Sequence, residues 1–117
     1  MAYVVVHRDR IGGLPLRLKT RAKHLEYLIA HRDKFIFGGP FLDDEGRPIG
    51  GLMVLDLPDL AAVQAFLESE PYFKARLHES ITIHPWRQVL PEPFSKFLEQ
   101  ELLAQLHNDT ANESAAP

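Results

Sequence analysis

The sequence predicts an α+β domain whose elements follow in the order β-α-β-β-α-β, with one more helix behind it. Three observations carry that reading. A β-branched and aromatic run opens the chain. Apolar residues then recur at helical spacing over residues 16–32 and again after Pro58. Gly, Pro and Asp clusters separate each such stretch from the next.

Residues 2–7, Ala-Tyr-Val-Val-Val-His, form the first expected strand, with Tyr3, Val5 and His7 on one face and Val4 and Val6 on the other. Both faces are apolar, as in a central strand. Gly12, Gly13 and Pro15 mark the loop that follows. In the first helix Leu18, Ala22, Leu25 and Ile29 define the stripe expected to be buried, with Arg21 on its shoulder and His24 and His31 further round the same side. Thr20 is a candidate N-cap for a late start, which would put Arg21 and His24 near the first turn. Residues 34–42 read as a second strand broken by a bulge at Gly38-Gly39-Pro40. The Asp-Glu-Gly-Arg-Pro turn and a third strand over residues 50–56 come next. Leu60, Val63, Phe66 and Leu67 give the second helix its apolar stripe, and Pro71 interrupts it and biases Glu70 toward extended backbone. Residues 80–86 alternate as a fourth strand.

That order is the ferredoxin-like arrangement, an antiparallel sheet with two helices on one face. The other face also carries apolar residues with nothing left in a domain of this size to cover it, so a homodimer that stacks two sheets is expected. Behind the domain, taken as residues 1–90, Phe94, Phe97, Leu98, Leu102 and Leu106 mark an amphipathic helical extension over residues 91–107, and residues 108–117 read as a disordered tail.

Composition narrows the function. A net charge of -3 with scattered Lys and Arg argues against nucleic acid as a partner. The absence of cysteine removes thiolate nucleophiles, disulfides and Cys-ligated metals. No run approaches a membrane span, so a cytoplasmic protein is expected. His24 and His31 lie two helical turns apart, about 10 Å, too far to share an ion, and no histidine pair has close ligand spacing, so neither a metal nor a cofactor is expected.

Four short motifs share an order. A Tyr-Val-Val strand comes first, then Arg21-x-x-His24-x-x-x-Leu28, Gly38-Gly39-Pro40, and Glu70-Pro71-Tyr72. Together they resemble the YCII-related family over roughly residues 1–90. The resemblance implies a ferredoxin-like fold pairing as a dimeric α+β barrel, and a pocket in which a His–Asp pair works. The histidine carries over to His24. The acidic position holds Glu70, whose extra methylene shifts a carboxylate by roughly 1.5 Å, against a catalytic tolerance of about 0.5 Å. Either the backbone adjusts, or the chemistry is altered or lost.

His24 is the strongest acid–base candidate, since imidazole titrates near pH ~6.5 and a carboxylate on one nitrogen raises the basicity of the other. Glu70 would be that carboxylate. Arg21 could hold an anionic ligand or orient Glu70, and its plain alternative is a surface ion pair. Gly38 and Gly39 would let a ligand approach the backbone, or serve only as a bulge, and Tyr72 would form a pocket wall or belong to the core. Two functions stay open. One is a metal-independent enzyme moving protons on a small cyclic or carbonyl compound by isomerisation, elimination or hydrolysis. The other is a non-catalytic dimeric binding module with a vestigial pocket.

Overall fold

A computed structural model describes residues 1–115, which divide into one unit spanning Met1–Trp86 and a second from Arg87 onward. The first unit is a four-stranded antiparallel sheet in the order β2-β3-β1-β4, built from β1 (Ala2–Asp9), β2 (Phe35–Leu42), β3 (Pro48–Asp56) and β4 (His78–Trp86). Helices α1 (Leu14–Ala30), α2 (Leu60–Ser69) and the single turn α3 (Pro71–Lys74) complete it. This is the ferredoxin-like α+β fold, with β1 central as its two apolar faces required.

The covered face of the sheet has two chemically different halves. Tyr3 and Val5 of β1 pack with Met53, Leu55, Leu57 and the inner face of α2, Val63, Phe66 and Leu67, as the apolar core. Further along the same face of β1 come His7 and Asp9, both buried. Asp59 caps α2 by accepting from the Ala62 amide at 2.8 Å, with Pro58 just ahead of the cap.

Helix α1 departs from expectation. It starts at Leu14 behind Gly13, not at Thr20, so His24 sits in its middle. Its expected buried stripe points outward: Leu18 is 60% and Ile29 61% exposed. The inward positions are Arg17, His24, Tyr27 and Leu28. The polar groups among them find partners below the helix, so burying them costs less than the apolar pattern assumes. Tyr27 donates its hydroxyl to the Phe66 carbonyl at 2.7 Å and ties α1 to α2.

Strand β2 also differs. It runs unbroken through Gly38-Gly39-Pro40, and its register shifts lie on either side, between Phe35 and Phe37 and between Phe41 and Leu42. Pro40 is accommodated because β2 is an edge strand, where a missing N–H need not break a ladder. In β4 the pairing slips between Arg8 and Asp9, so that Asp9 faces His78 and not Glu79. That slip brings His78 onto the helix-covered face, where strict alternation would turn it away.

In the second unit, α4 runs over Phe97–Ala115, starting later and ending later than the helix expected over residues 91–107. Glu92 accepts from the Leu98 amide at 3.0 Å near its start. Beyond His107, Gln105 donates to Asp109 at 2.8 Å and Thr110 to the Leu106 carbonyl at 3.0 Å, local bonds one turn apart that an apolar pattern does not register. Residues 108–115, expected as tail, are therefore helical, and residues 116–117 lie outside the described residues.

Strand β1 closely approaches β3 at Gly50, where a Cβ would lie 2.4 Å from the His7 carbonyl oxygen and 3.1 Å from the Arg8 Cα. Gly50→Ala is expected to cost about 3 kcal/mol in urea unfolding, as overpacking against backbone does. Gly39→Ala, with nothing within 4 Å of the added carbon, should stay within about 0.5 kcal/mol of wild type. Equal effects would refute the close approach.

Candidate functional site

Glu70 is the residue from which the site is built. Pro71 holds it extended (φ -75°, ψ 127°) and opens α3 at its first position, where a proline loses no helical hydrogen bond. In that pose Glu70 is the N-cap of α3. Its Oε2 accepts from the amides of Tyr72 at 2.9 Å and Phe73 at 3.3 Å. Its other oxygen, Oε1, meets Nδ1 of His24. The side chain is fully buried, so an ionised carboxylate needs all of these partners.

The bond also fixes the histidine. Because Glu70 already accepts from two amides, it is an acceptor toward His24 as well, and Nδ1 carries the proton. The lone pair is then on Nε2. Tyr72 lies flat against the imidazole, with ring centroids 3.9 Å apart and planes 15° apart, which holds the ring's tilt. The methylene that distinguishes Glu70 from an aspartate does not prevent the contact.

These residues line a cleft of about 440 Å³ between α1, the Gly-Gly-Pro edge of β2 and the α3 turn. Arg21, His24, Gly38, Gly39, Glu70 and Tyr72 all border it. The oxygens of Glu70 are taken by His24 and the two amides, and Arg21 does not orient it. Arg21 and Arg32 stand on the wall as cations without an ion pair among the described residues, and Gly38 and Gly39 border the cleft, with open space only at Gly39, since a Cβ on Gly38 would touch the Phe35 ring.

Sequence reasoning missed a second polar group beside the first. Arg17, buried, donates from Nε to Asp9 Oδ2 at 2.9 Å and from Nη2 to the Gly50 carbonyl at 3.0 Å. Its guanidinium lies 4.8 Å from the centroid of the same Tyr72 ring that stacks on His24, so Tyr72 packs against both side chains. The other Asp9 oxygen is 3.0 Å from His78 Nδ1, and the His78 ring is 4.2 Å from that of His7. Burial, then the charges of His78, Arg17 and His24, push the His7 pKa down to about 3, so its ring is neutral near pH 7. Burial also lowers that of His78, against the opposing pull of Asp9. His7 and Asp9 alternating on one strand face, with an arginine at the start of the next helix, were the available signal.

A ferredoxin-like domain with a carboxylate-held histidine on an open cleft is the class that fold and site define. Residues 1–87 match the YCII-related domain, and the chain belongs to that family. Protein YciI of Escherichia coli O6:H1 is 28% identical over 97 residues, covering 76% of this chain and 99% of its own, and the Shigella flexneri YciI matches equally. Among solved structures, 5-chloro-2-hydroxyhydroquinone dehydrochlorinase (TftG) of Burkholderia phenoliruptrix, in complex with 2,5-dihydroxybenzoquinone, superposes with a TM-score of 0.71 at 28% identity. That match covers 75% of this chain and 95% of the enzyme. An Agrobacterium tumefaciens protein at 16% identity and TM-score 0.50, over 80% of this chain and 99% of its own, shares the fold alone.

Arg17→Met would leave Asp9 buried without its cation and should lower stability by about 3 kcal/mol. Adding Asp9→Asn removes the stranded charge, so the double variant should recover more than about 1 kcal/mol of that loss in urea unfolding. Strict additivity would mean the pair is not coupled.

Proposed function

We propose that this chain is an acid–base enzyme for small, planar, oxygenated ring compounds, with His24 as the base and Glu70 as the group that orients it. The observation that carries the reading is the His24–Glu70 contact on the wall of an open cleft. A carboxylate on Nδ1 holds the lone pair on Nε2 and stabilises the imidazolium that forms when Nε2 takes a proton. A cleft of about 440 Å³ suits a single ring. Arg21 and Arg32 favour a ligand that becomes anionic, as a phenol or enol does on losing its proton.

The 28% identical Burkholderia enzyme supports the substrate class, since its name describes removal of hydrogen chloride from a hydroxylated ring. The corresponding step here balances without an external oxidant. His24 Nε2 removes a proton from a ring hydroxyl or from carbon next to a ring carbonyl. The released electron pair forms a new π bond, and a leaving group such as chloride departs with the pair of the bond that breaks. The imidazolium then returns its proton to water. Isomerisation follows from the same first step when the proton is returned to a different carbon.

Glu70→Gln tests the base directly. Glutamine keeps the shape and can still cap α3, but its amide can donate to Nδ1 and so move the ring proton to Nε2. Turnover of 5-chloro-2-hydroxyhydroquinone is expected to fall by about 10³–10⁴-fold, with 2,5-dihydroxybenzoquinone binding largely kept. His24→Ala should fall as far. Unchanged turnover in a folded His24→Ala protein would refute the base role, and ring binding with no turnover in wild type would favour the non-catalytic binding module.

The same reading includes a homodimer joined through the sheet face opposite α1 and α2. There Phe37 and Phe41 are 45% and 41% exposed, and the strand register puts them on the same face as Val4, Val6 and Leu52. Wild type should sediment as a dimer at micromolar concentration, and Phe37→Glu with Phe41→Glu as a monomer. A monomeric wild type would refute the pairing.

A further inference from the structure

We propose that His7, Asp9 and His78 form a binding site for one divalent transition-metal ion of the zinc type. Each of the three residues offers a ligand atom, and these atoms lie within 4.8 Å of one another. All three residues are more than nine-tenths buried, at 7%, 8% and 6% exposure. Two nitrogens in the cluster, His7 Nδ1 and His78 Nε2, are buried with no hydrogen-bond partner. An unpartnered buried polar atom costs about 1–3 kcal/mol, and here two occur on rings whose centroids are 4.2 Å apart. They point to something that binds between or beside the rings.

The donor chemistry selects the occupant. Two imidazoles and one carboxylate suit zinc, iron, cobalt or nickel, whereas magnesium and calcium prefer oxygen alone. Arg17 occupies Asp9 Oδ2 and leaves Oδ1 on the side of His78, in the manner of an outer partner that orients a ligating carboxylate. Tetrahedral zinc with bonds of about 2.0–2.1 Å separates its ligand atoms by about 3.4 Å. The ligand atoms lie up to 4.8 Å apart, so closure onto an ion requires an approach of about 1.4 Å at the widest spacing. His7 also borders the cleft, which puts the ion next to the space that His24 faces without sharing a ligand with the His24–Glu70 pair.

The inference stands apart from the proposed acid–base role, and its test reads metal and not turnover. The full chain is stripped with a chelator, dialysed, and titrated with Co²⁺ as the probe, then with Zn²⁺. The expected result is about one Co²⁺ per chain, with visible d–d absorption that Zn²⁺ displaces and a raised melting temperature. His7→Phe and His78→Phe, each shown to be folded by circular dichroism in chelator, should lose the absorption and bind at least about 100-fold more weakly, beyond what outer partners carry. If either phenylalanine variant fails to fold, His7→Gln and His78→Gln replace them. His24→Ala should bind as wild type does. Absence of stoichiometric uptake by the folded chain would overturn the site and leave a buried water as the partner of the two nitrogens. Uptake that survives loss of both His7 and His78, or that disappears in His24→Ala, would overturn it as well by locating the ion elsewhere.

Discussion

A carboxylate with no exposure to water must have every lone pair accounted for, and Glu70 meets that requirement in a way that shapes its whole neighbourhood. Two amides of α3 bind one oxygen and His24 binds the other. The amides are available because Pro71 starts a helical turn there, and the carboxylate faces them because a residue before proline is held extended. Helix α1 in turn must present His24, and not a leucine, to the space beneath it. A local steric rule at one proline therefore decides which face of a helix more than forty positions earlier in the chain is buried.

The same logic explains the divided interior. Under α2 the sheet is closed by ordinary apolar packing of Tyr3, Val5, Leu55 and Val63. Under α1 it is closed by polar pairs, Arg17 on Asp9 and His24 on Glu70, with the Tyr72 ring packed against both Arg17 and His24. Replacing such pairs with apolar residues often leaves stability unchanged or raises it. They lie at one end of the domain, beside the Gly-Gly-Pro edge of β2.

Much of this was legible in the sequence, and the remainder was hidden for identifiable reasons. The strand order followed from β-branched runs and turn residues. His24 stood out as the base candidate on the shoulder of the first helix, whereas Glu70 stood out only through its place in a set of family motifs, since a pre-proline acid carries little signal alone. The stripe Leu18, Ala22, Leu25 and Ile29 misled because hydrophobic periodicity assumes that polar residues seek water, and those facing the sheet find partners inside. His78 was invisible as a neighbour of Asp9 because a one-residue slip in β4 reverses its face. Residues 108–115 read as tail in the sequence because side-chain bonds one turn apart leave no trace in an apolar pattern.

Sharing one carboxylate between a helix cap and a histidine has a spectroscopic side. The Tyr72 and Phe73 amides donate to the same carboxylate that His24 contacts, the ring that takes up a proton in the proposed reaction. Their proton chemical shifts therefore sense the charge on the imidazole through a single intervening carboxylate. Two backbone resonances, far simpler to follow than a histidine side chain, would report the ionisation of the site from within the fold.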